Sequence, residues 1–116
     1  MSHLIALRTL DDNLDLDQGY RGNIQHVVIY QEANTADVSK SEGWENDNWK
    51  QNPNGGPRTA PVCANVTLIG PKATGTPNSL HQSAARIRRG AWTSIHNSVW
   101  VDHVNGLYID GDDTYA

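Results

Sequence analysis

The residues able to do chemistry in this 116-residue chain come in pairs, two positions apart, in four separate stretches: Asp15 and Asp17, Glu45 and Asp47, Arg86 and Arg88, Tyr108 and Asp110. In an extended strand, positions two apart share a face. Stacked on neighbouring strands about 4.8 Å apart, the pairs form two columns, Asp15-Glu45-Arg86-Tyr108 and Asp17-Asp47-Arg88-Asp110. Two chemistries follow. As a ladder of opposite charges, the columns fix strand register at about 0.2–1 kcal/mol per pair. As a site, Asp17 and Asp47 are a carboxylate pair with Arg88 as an anion holder. A polysaccharide lyase needs a base and a cation for the substrate carboxylate, and a hydrolase needs two carboxylates across the scissile bond. Strand alternation places polar residues on the outside of any stack, so the columns alone do not assign catalysis.

Such columns require elements that stack, and the sequence repeats accordingly. A short apolar strand is followed by an alternating strand ending in an Asp- and Gly-rich corner, in units spanning residues 2–22, 23–60, 61–94 and 95–116. A unit of about 21 residues buries its apolar face only against a stacked neighbour, the mark of a solenoid. The middle units are lengthened by insertions at 31–43, 49–60 and 70–84, which hold four of the five prolines and much of the Asn, Ser and Gly expected of loops. Residues 1–116 are read as a single domain.

In the second strand of each unit, Leu14, Trp44, Ala85 and Leu107, and then Leu16, Asn46, Ile87 and Ile109, are predicted to point inward. In the first strand the predicted inward columns are Ile5, Val28, Val66 and Val99, then Leu7, Tyr30, Leu68 and Val101, leaving Ala6, Ile29, Thr67 and Trp100 outside. A third stretch recurs at Gly19–Ile24 and Gly90–Ile95, less regularly at Pro61-Val62. Three strands per turn describe an all-β fold, a parallel β-helix of about four rungs, right-handed by the general chirality preference of parallel crossovers. His3 and His26 share a corner column with Asn97, and His81, His96 and His103 are scattered, so zinc has no clustered ligand set.

Composition narrows the function classes. The chain is 37% hydrophobic with no Phe, carries a net charge of −4, and clusters its basic residues only at Arg86, Arg88 and Arg89. A nucleic-acid ligand needs a broad basic face, which is missing. No apolar run approaches the roughly 20 residues that span a bilayer. The single Cys63 cannot form an internal disulfide and is expected in the core.

Two further kinds of candidate remain. Asp11, Asp12, Asp110, Asp112 and Asp113 supply oxygens for calcium, which takes six to eight ligands. They match neither the glycine-rich nonapeptide nor the helix-loop-helix calcium pattern, and solvated Asp turns explain them better. No cofactor is expected, with calcium left as an option. Among the aromatics, Trp100, Trp49, Trp92 and Tyr20 offer flat faces for sugar rings, whereas Trp44 falls in an inward column.

The strings LDLDQGYRGNIQHVVIYQ, GWENDN, PVCANVTLIG, RIRRG, IHNSVWV and GLYIDGDDTYA resemble, in order and over nearly the whole chain, inner rungs of secreted or surface-attached right-handed parallel β-helix proteins of Bacteroidetes and related bacteria. The resemblance implies an exported location. It also implies a longer protein, because the chain starts mid-repeat at Met1-Ser2-His3 without an apolar leader, and a truncated stack with open ends is expected. Uncapped rungs expose apolar side chains and unpaired backbone, so a homo-oligomer formed by rung stacking or strand exchange is expected. The first functional expectation is a non-catalytic structural or binding module contacting glycans or its own copies. The alternative is a polysaccharide-acting lyase or hydrolase remnant using Asp17, Asp47 and Arg88.

Overall fold

The computed structural model of the chain describes residues 1–115, so Ala116, the last residue of the fourth unit, lies outside the described residues. Nine strands follow in order: β1 (Ser2–Leu7), β2 (Leu14–Leu16), β3 (Asn23–Tyr30), β4 (Trp44–Asp47), β5 (Val62–Ile69), β6 (Ser83–Arg88), β7 (Ser94–His96), β8 (Val99–Val101) and β9 (Asn105–Asp110). A 3-10 turn at Pro71–Ala73 and a short helix α1 (Asp112–Tyr115) complete the elements. The chain passes alternately between two sheets, and every pairing is parallel. One sheet runs β1-β3-β5 with β7 and β8 both on β5; the other runs β2-β4-β6-β9. The predicted insertions fall between strands, except that the last two residues of 70–84 already belong to β6.

The second sheet has the register expected from its sequence. Leu14, Trp44, Ala85 and Leu107 are aligned, as are Leu16, Asn46, Ile87 and Ile109. All but the two residues of β9 are buried. Asp or Glu beside Leu or Trp labels the two faces unambiguously, which is why alternation succeeds here.

In the first sheet the expectation needs correction. The inward columns are Leu4-Val27-Val66 and Ala6-Ile29-Leu68-Trp100, whereas Ile5, Val28, Thr67 and Val99, and then Leu7, Tyr30, Ile69 and Val101, face outward. The sequence expectation has Val66 and Leu68 on the correct face and inverts the other three units. No strand of this sheet contains an Asp, Glu, Lys or Arg, so its alternation carries no polar label, and a one-residue slip exchanges the faces.

The third recurring stretch is also not a separate sheet. It joins the first strand of the next unit: Ile24 and Cys63 lie within β3 and β5, and β7 continues the line of β8. The join bends at His3, His26, Asn65 and Asn97, whose φ values of 58°, 57°, 56° and 44° put one left-handed residue at the same place in each pass. The expected corner column is therefore real, and Asn65 fills its gap. The His3 and His26 rings stack with centroids 5.0 Å apart, and Asn97 Nδ2 donates to Asn65 Oδ1 at 2.5 Å. Asn tolerates this backbone better than most residues.

Between the sheets, Leu14, Leu16, Trp44, Ala84 and Ala85 meet Ile24, Val27, Ile29, Cys63, Val66 and Leu68. Each larger side chain contributes about 1.5–3 kcal/mol when fully buried. The polar inward residue Asn46 is satisfied by Trp44 Nε1, which donates to its Oδ1 at 2.7 Å, and by Thr93 Oγ1, which accepts from its Nδ2 at 2.6 Å. Cys63 is buried, and that burial pushes its thiol up to about 11, which makes it unreactive.

Candidate functional site

The charged columns lie on the outer face of the second sheet, with Asp15 opposite Glu45, Glu45 opposite Arg86, and Arg86 opposite Tyr108, while Asp47, Arg88 and Asp110 are aligned beside them. They are not a solvated row. Glu45 and Asp47 are buried even though they point away from the core. Arg88 bridges them, with Nε 2.5 Å from Asp47 Oδ1 and Nη2 2.5 Å from Glu45 Oε2. Arg89 also pairs with Asp47, and Arg86 with Asp110. The hydrogen bonds from Arg86 hold the Asp110 carboxyl below the usual range. Asp17 stays exposed and accepts the Gln18 backbone N–H at 2.9 Å. Asp47 and Arg88 are thus mutually engaged, and Asp17 stands apart from them.

Beside this network the structure assembles a cleft. A hollow of about 190 Å³ is lined by Asp11, Asp12, Asp15, Ser39, Lys40, Glu42, Glu45, Arg86 and Arg88. Its carboxyls come from three places: the corner before β2, strand β2 itself, and the residues from Glu42 into β4. Backbone hydrogen bonds lock the parts together. The Glu42 N–H donates to Asp12 Oδ1 at 2.5 Å, and the Ser83 N–H donates to Glu42 Oε2 at 2.6 Å. Ser41 Oγ donates to the Leu10 carbonyl at 2.9 Å, and its own backbone N–H donates to the Leu80 carbonyl at 3.0 Å.

Burial sets the electrostatics of this cleft. Desolvation pushes Asp12 up to about 7, against the Glu42 N–H and with help from the Asp11, Glu42 and Asp15 charges. It pushes Glu45 up to about 8, reinforced by Asp12 and opposed by Arg88. Asp15 and Glu42 are raised for the same first reason. Arg88 is itself shifted upward, the mark of acidic neighbours. The two directions conflict over the Arg88–Glu45 contact, and burial decides it for Glu45, because Arg88 is shared with Asp47. Two carboxyls that titrate near neutrality, side by side with permanent cations, can both donate and accept hydrogen bonds.

A second hollow of about 460 Å³ adjoins the first and shares Lys40, Glu42 and Arg86 with it. It continues across β6 to β9, where Gln82, Asn105, Leu107 and Tyr108 line it. The Arg86 guanidinium lies 5.5 Å from the Tyr108 ring centroid, and Tyr108 is 46% exposed. Adjoining at these three residues, the hollows form a groove-like run across the second sheet in two parts, the first acidic and the second bordered by Tyr108.

A comparison with protein families returns the pectate-lyase-like β-helix domain, matched over residues 1–116. The chain belongs to this family. Neither the curated proteins nor the solved structures compared with it gave a match. Membership of the β-helix family agrees with the parallel sheets, the repeat and the stacked corner column.

The remaining sequence candidates sort differently in this β-helix domain. Trp100, expected outside, packs against the core with its ring 6.3 Å from Trp44 in an edge-to-face arrangement, because the true register turns its column inward. Tyr20 also packs on the core. Trp49 and Trp92 are exposed. Trp49 borders a small hollow with Gln18, Asn48 and Pro57, and Trp92 lies under the Arg58 guanidinium at 4.5 Å. Both stand apart from the acidic groove.

Of the calcium candidates, Asp11 and Asp12 line the cleft, Asp110 is held by Arg86, and Asp113 accepts from Asn54 Nδ2 at 3.0 Å. Among the described residues, no three His, Cys, Asp or Glu side chains are arranged to hold a metal ion, and no helix is long and apolar enough to cross a membrane. Sequence reasoning missed Asn105, at the start of β9 opposite Ser83, and also Glu42, Lys40 and Gln82, which lie in or beside insertions and outside the strand columns. The only signal pointing to them was the placement of the 31–43 and 70–84 insertions around β4 and β6.

Proposed function

We propose that this β-helix domain is a non-catalytic carbohydrate-binding module and that its ligand lies in the groove across the second sheet. The observation that carries this reading is that the two hollows adjoin at Lys40, Glu42 and Arg86, which line both. Sugar hydroxyls pair with carboxyl, guanidinium and amide groups, and a sugar face stacks on an exposed ring such as Tyr108. Five carboxyl side chains against Lys40, Arg86 and Arg88 at the acidic end favour a neutral glycan over a polyuronate. The finer architecture belongs to the same proposal: about four turns of a right-handed solenoid, exported to the cell surface and self-associating through its ends.

A second reading, polysaccharide cleavage, is favoured by the placement of Asp12 and Glu45 in one hollow with Arg86 and Arg88, where burial pushes the two carboxyls up to about 7 and about 8. These are values suited to a general acid or base. That chemistry moves from Asp17 and Asp47 to Asp12 and Glu45.

Calorimetric titration against neutral and uronate oligosaccharides, with product analysis on the same mixtures, tests both readings. The binding reading expects saturable binding of a neutral glycan, lost in Tyr108→Ala, with no products. Product formation abolished by Asp12→Asn or Glu45→Gln supports cleavage instead, and absence of binding by every glycan refutes both.

A further inference from the structure

Nine residues other than glycine have a positive φ among the described residues, and eight of them recur with the repeat. His3, His26, Asn65 and Asn97 form the bend of the first sheet, Arg8 and Asp102 follow Leu7 and Val101 of one strand column, and Gln18 and Arg89 precede the corner glycines Gly19 and Gly90. Lys40 is the exception. It lies in an insertion, and its φ of 85° is the largest of the nine. Where the chain takes such angles elsewhere it uses glycine: Gly19 at 91°, Gly111 at 84° and Gly90 at 72°. A lysine at this angle carries a steric cost that glycine avoids. Hydrogen bonds hold it there from both sides. The Lys40 N–H donates to the Asp37 carbonyl at 3.0 Å, and the Ser39 N–H donates to Asp37 Oδ2 at 2.8 Å. Ser41, the next residue, is buried and fixed by its bonds to the Leu10 and Leu80 carbonyls, and its Oγ accepts the Asp37 N–H at 2.9 Å.

The side chain so presented is exposed and lines both hollows of the groove. Its charge reaches the Glu42 carboxyl and favours the ionised form. Among the described residues, however, the ion pairs of this region engage Arg86, Arg88 and Arg89, and none engages Lys40. Strain that the surrounding bonds impose, on an unpaired cation at the rim of a groove, marks a functional position. We propose that Lys40 is the specificity-determining residue of the groove, its ammonium donating hydrogen bonds to adjacent oxygens of one sugar where the two hollows adjoin. The proposal rests on the carbohydrate-binding reading and narrows it. An ammonium has three donors and no acceptor, so it selects a sugar that presents neighbouring hydroxyl or ring oxygens at that point. Arg86 and Arg88, already held by carboxylates, have fewer donors left for a ligand.

Calorimetric titration of the full chain with hexasaccharides of glucose, mannose, galactose and xylose, beside thermal melts, tests the proposal on two variants. Lys40→Met keeps the length of the side chain and loses the charge, and Lys40→Gly also removes the strain. Both should weaken the tightest-bound of the four sugars by about tenfold and narrow the spread of affinities among them. The melting temperature of Lys40→Gly should rise by a few degrees, while that of Lys40→Met stays close to the wild type. Gain of stability together with loss of discrimination is the signature of strain kept for binding. Wild-type binding whose strength and ranking survive in both variants overturns this proposal and leaves the groove reading standing. A Lys40→Gly chain that melts below the wild type overturns it as well, because the turn then needs its lysine for folding. A wild-type chain that binds none of the four sugars removes the groove reading, and this proposal falls with it.

Discussion

Glu45→Gln separates the two forces acting on the buried cleft. Glutamine keeps the size and a hydrogen-bonding end and removes the ionisation. Burial raises the Glu45 carboxyl from 4.5 to about 8. Between those values the folded chain holds a proton that the unfolded chain has released, so wild-type stability falls as pH rises through this window. Below 4.5 both states are protonated at this site, and well above 8 both are ionised. At about 1.4 kcal/mol per pH unit, the full window corresponds to at most about 5 kcal/mol. The value of about 8 already includes the opposing Arg88 charge, so the variant should gain on the wild type by up to about 4 kcal/mol between pH 5 and pH 9. Urea denaturation of both proteins at pH 5, 6, 7, 8 and 9 reads this directly. The stability difference, variant minus wild type, should rise steadily with pH. A flat difference, or one that turns against the variant as pH rises, would show that the Arg88 ion pair and not desolvation governs Glu45, and would refute the reasoning.

Other substitutions test the neighbouring parts. Asp47→Ala leaves Arg88 and Arg89 facing each other without their shared carboxylate and should cost about 3–5 kcal/mol in chemical denaturation. Trp44→Ala empties the largest buried site and should cost about 3–5 kcal/mol. Trp100→Ala should likewise lower the melting temperature and leave glycan binding by the folded protein unchanged, because its ring packs on Trp44. Gly43→Ala places a Cβ 2.7 Å from the Ala84 carbonyl oxygen and 3.1 Å from His103 Cε1, for a loss of about 1–3 kcal/mol. Burial lowers His103 from 6.5 to about 4. The unfolded chain therefore binds the extra proton as pH falls through that window, and His103→Phe should flatten the loss of stability between pH 6.5 and 4, measured by thermal melts.

How far the sequence discloses this molecule depends on whether polar residues mark the faces of its strands. In β2, β4 and β6, Asp15, Glu45 and Arg86 interrupt apolar neighbours, and the register follows residue by residue. In β1, β3 and β8, both alternations are apolar, so Ile5 and Leu7 are indistinguishable in type from Leu4, and Trp100 is placed on the wrong side. The strand bend was visible as the His3, His26 and Asn97 column, although its consequence, two sheets in place of three, depends on a left-handed backbone that side-chain type only suggests. The ladder was legible as pairings but not as a buried network, because burial of Glu45 and Asp47 arises from loops whose path the repeat does not set. Glu42 illustrates the same limit: it precedes β4 and belongs to no column, and only the folded insertion brings it between Asp12, Ser83 and Arg86.

The central claim is that the outer groove of the charged sheet is the ligand site of this β-helix domain. The most direct test is residue-resolved NMR of the labelled chain during titration with neutral oligosaccharides. The account expects shifts that saturate and map to Lys40, Glu42, Gln82, Arg86, Asn105 and Tyr108, the residues lining the groove. Shifts confined to the Trp49 hollow, to the surroundings of Trp92 or to the uncharged sheet, or none at any glycan concentration, would contradict it.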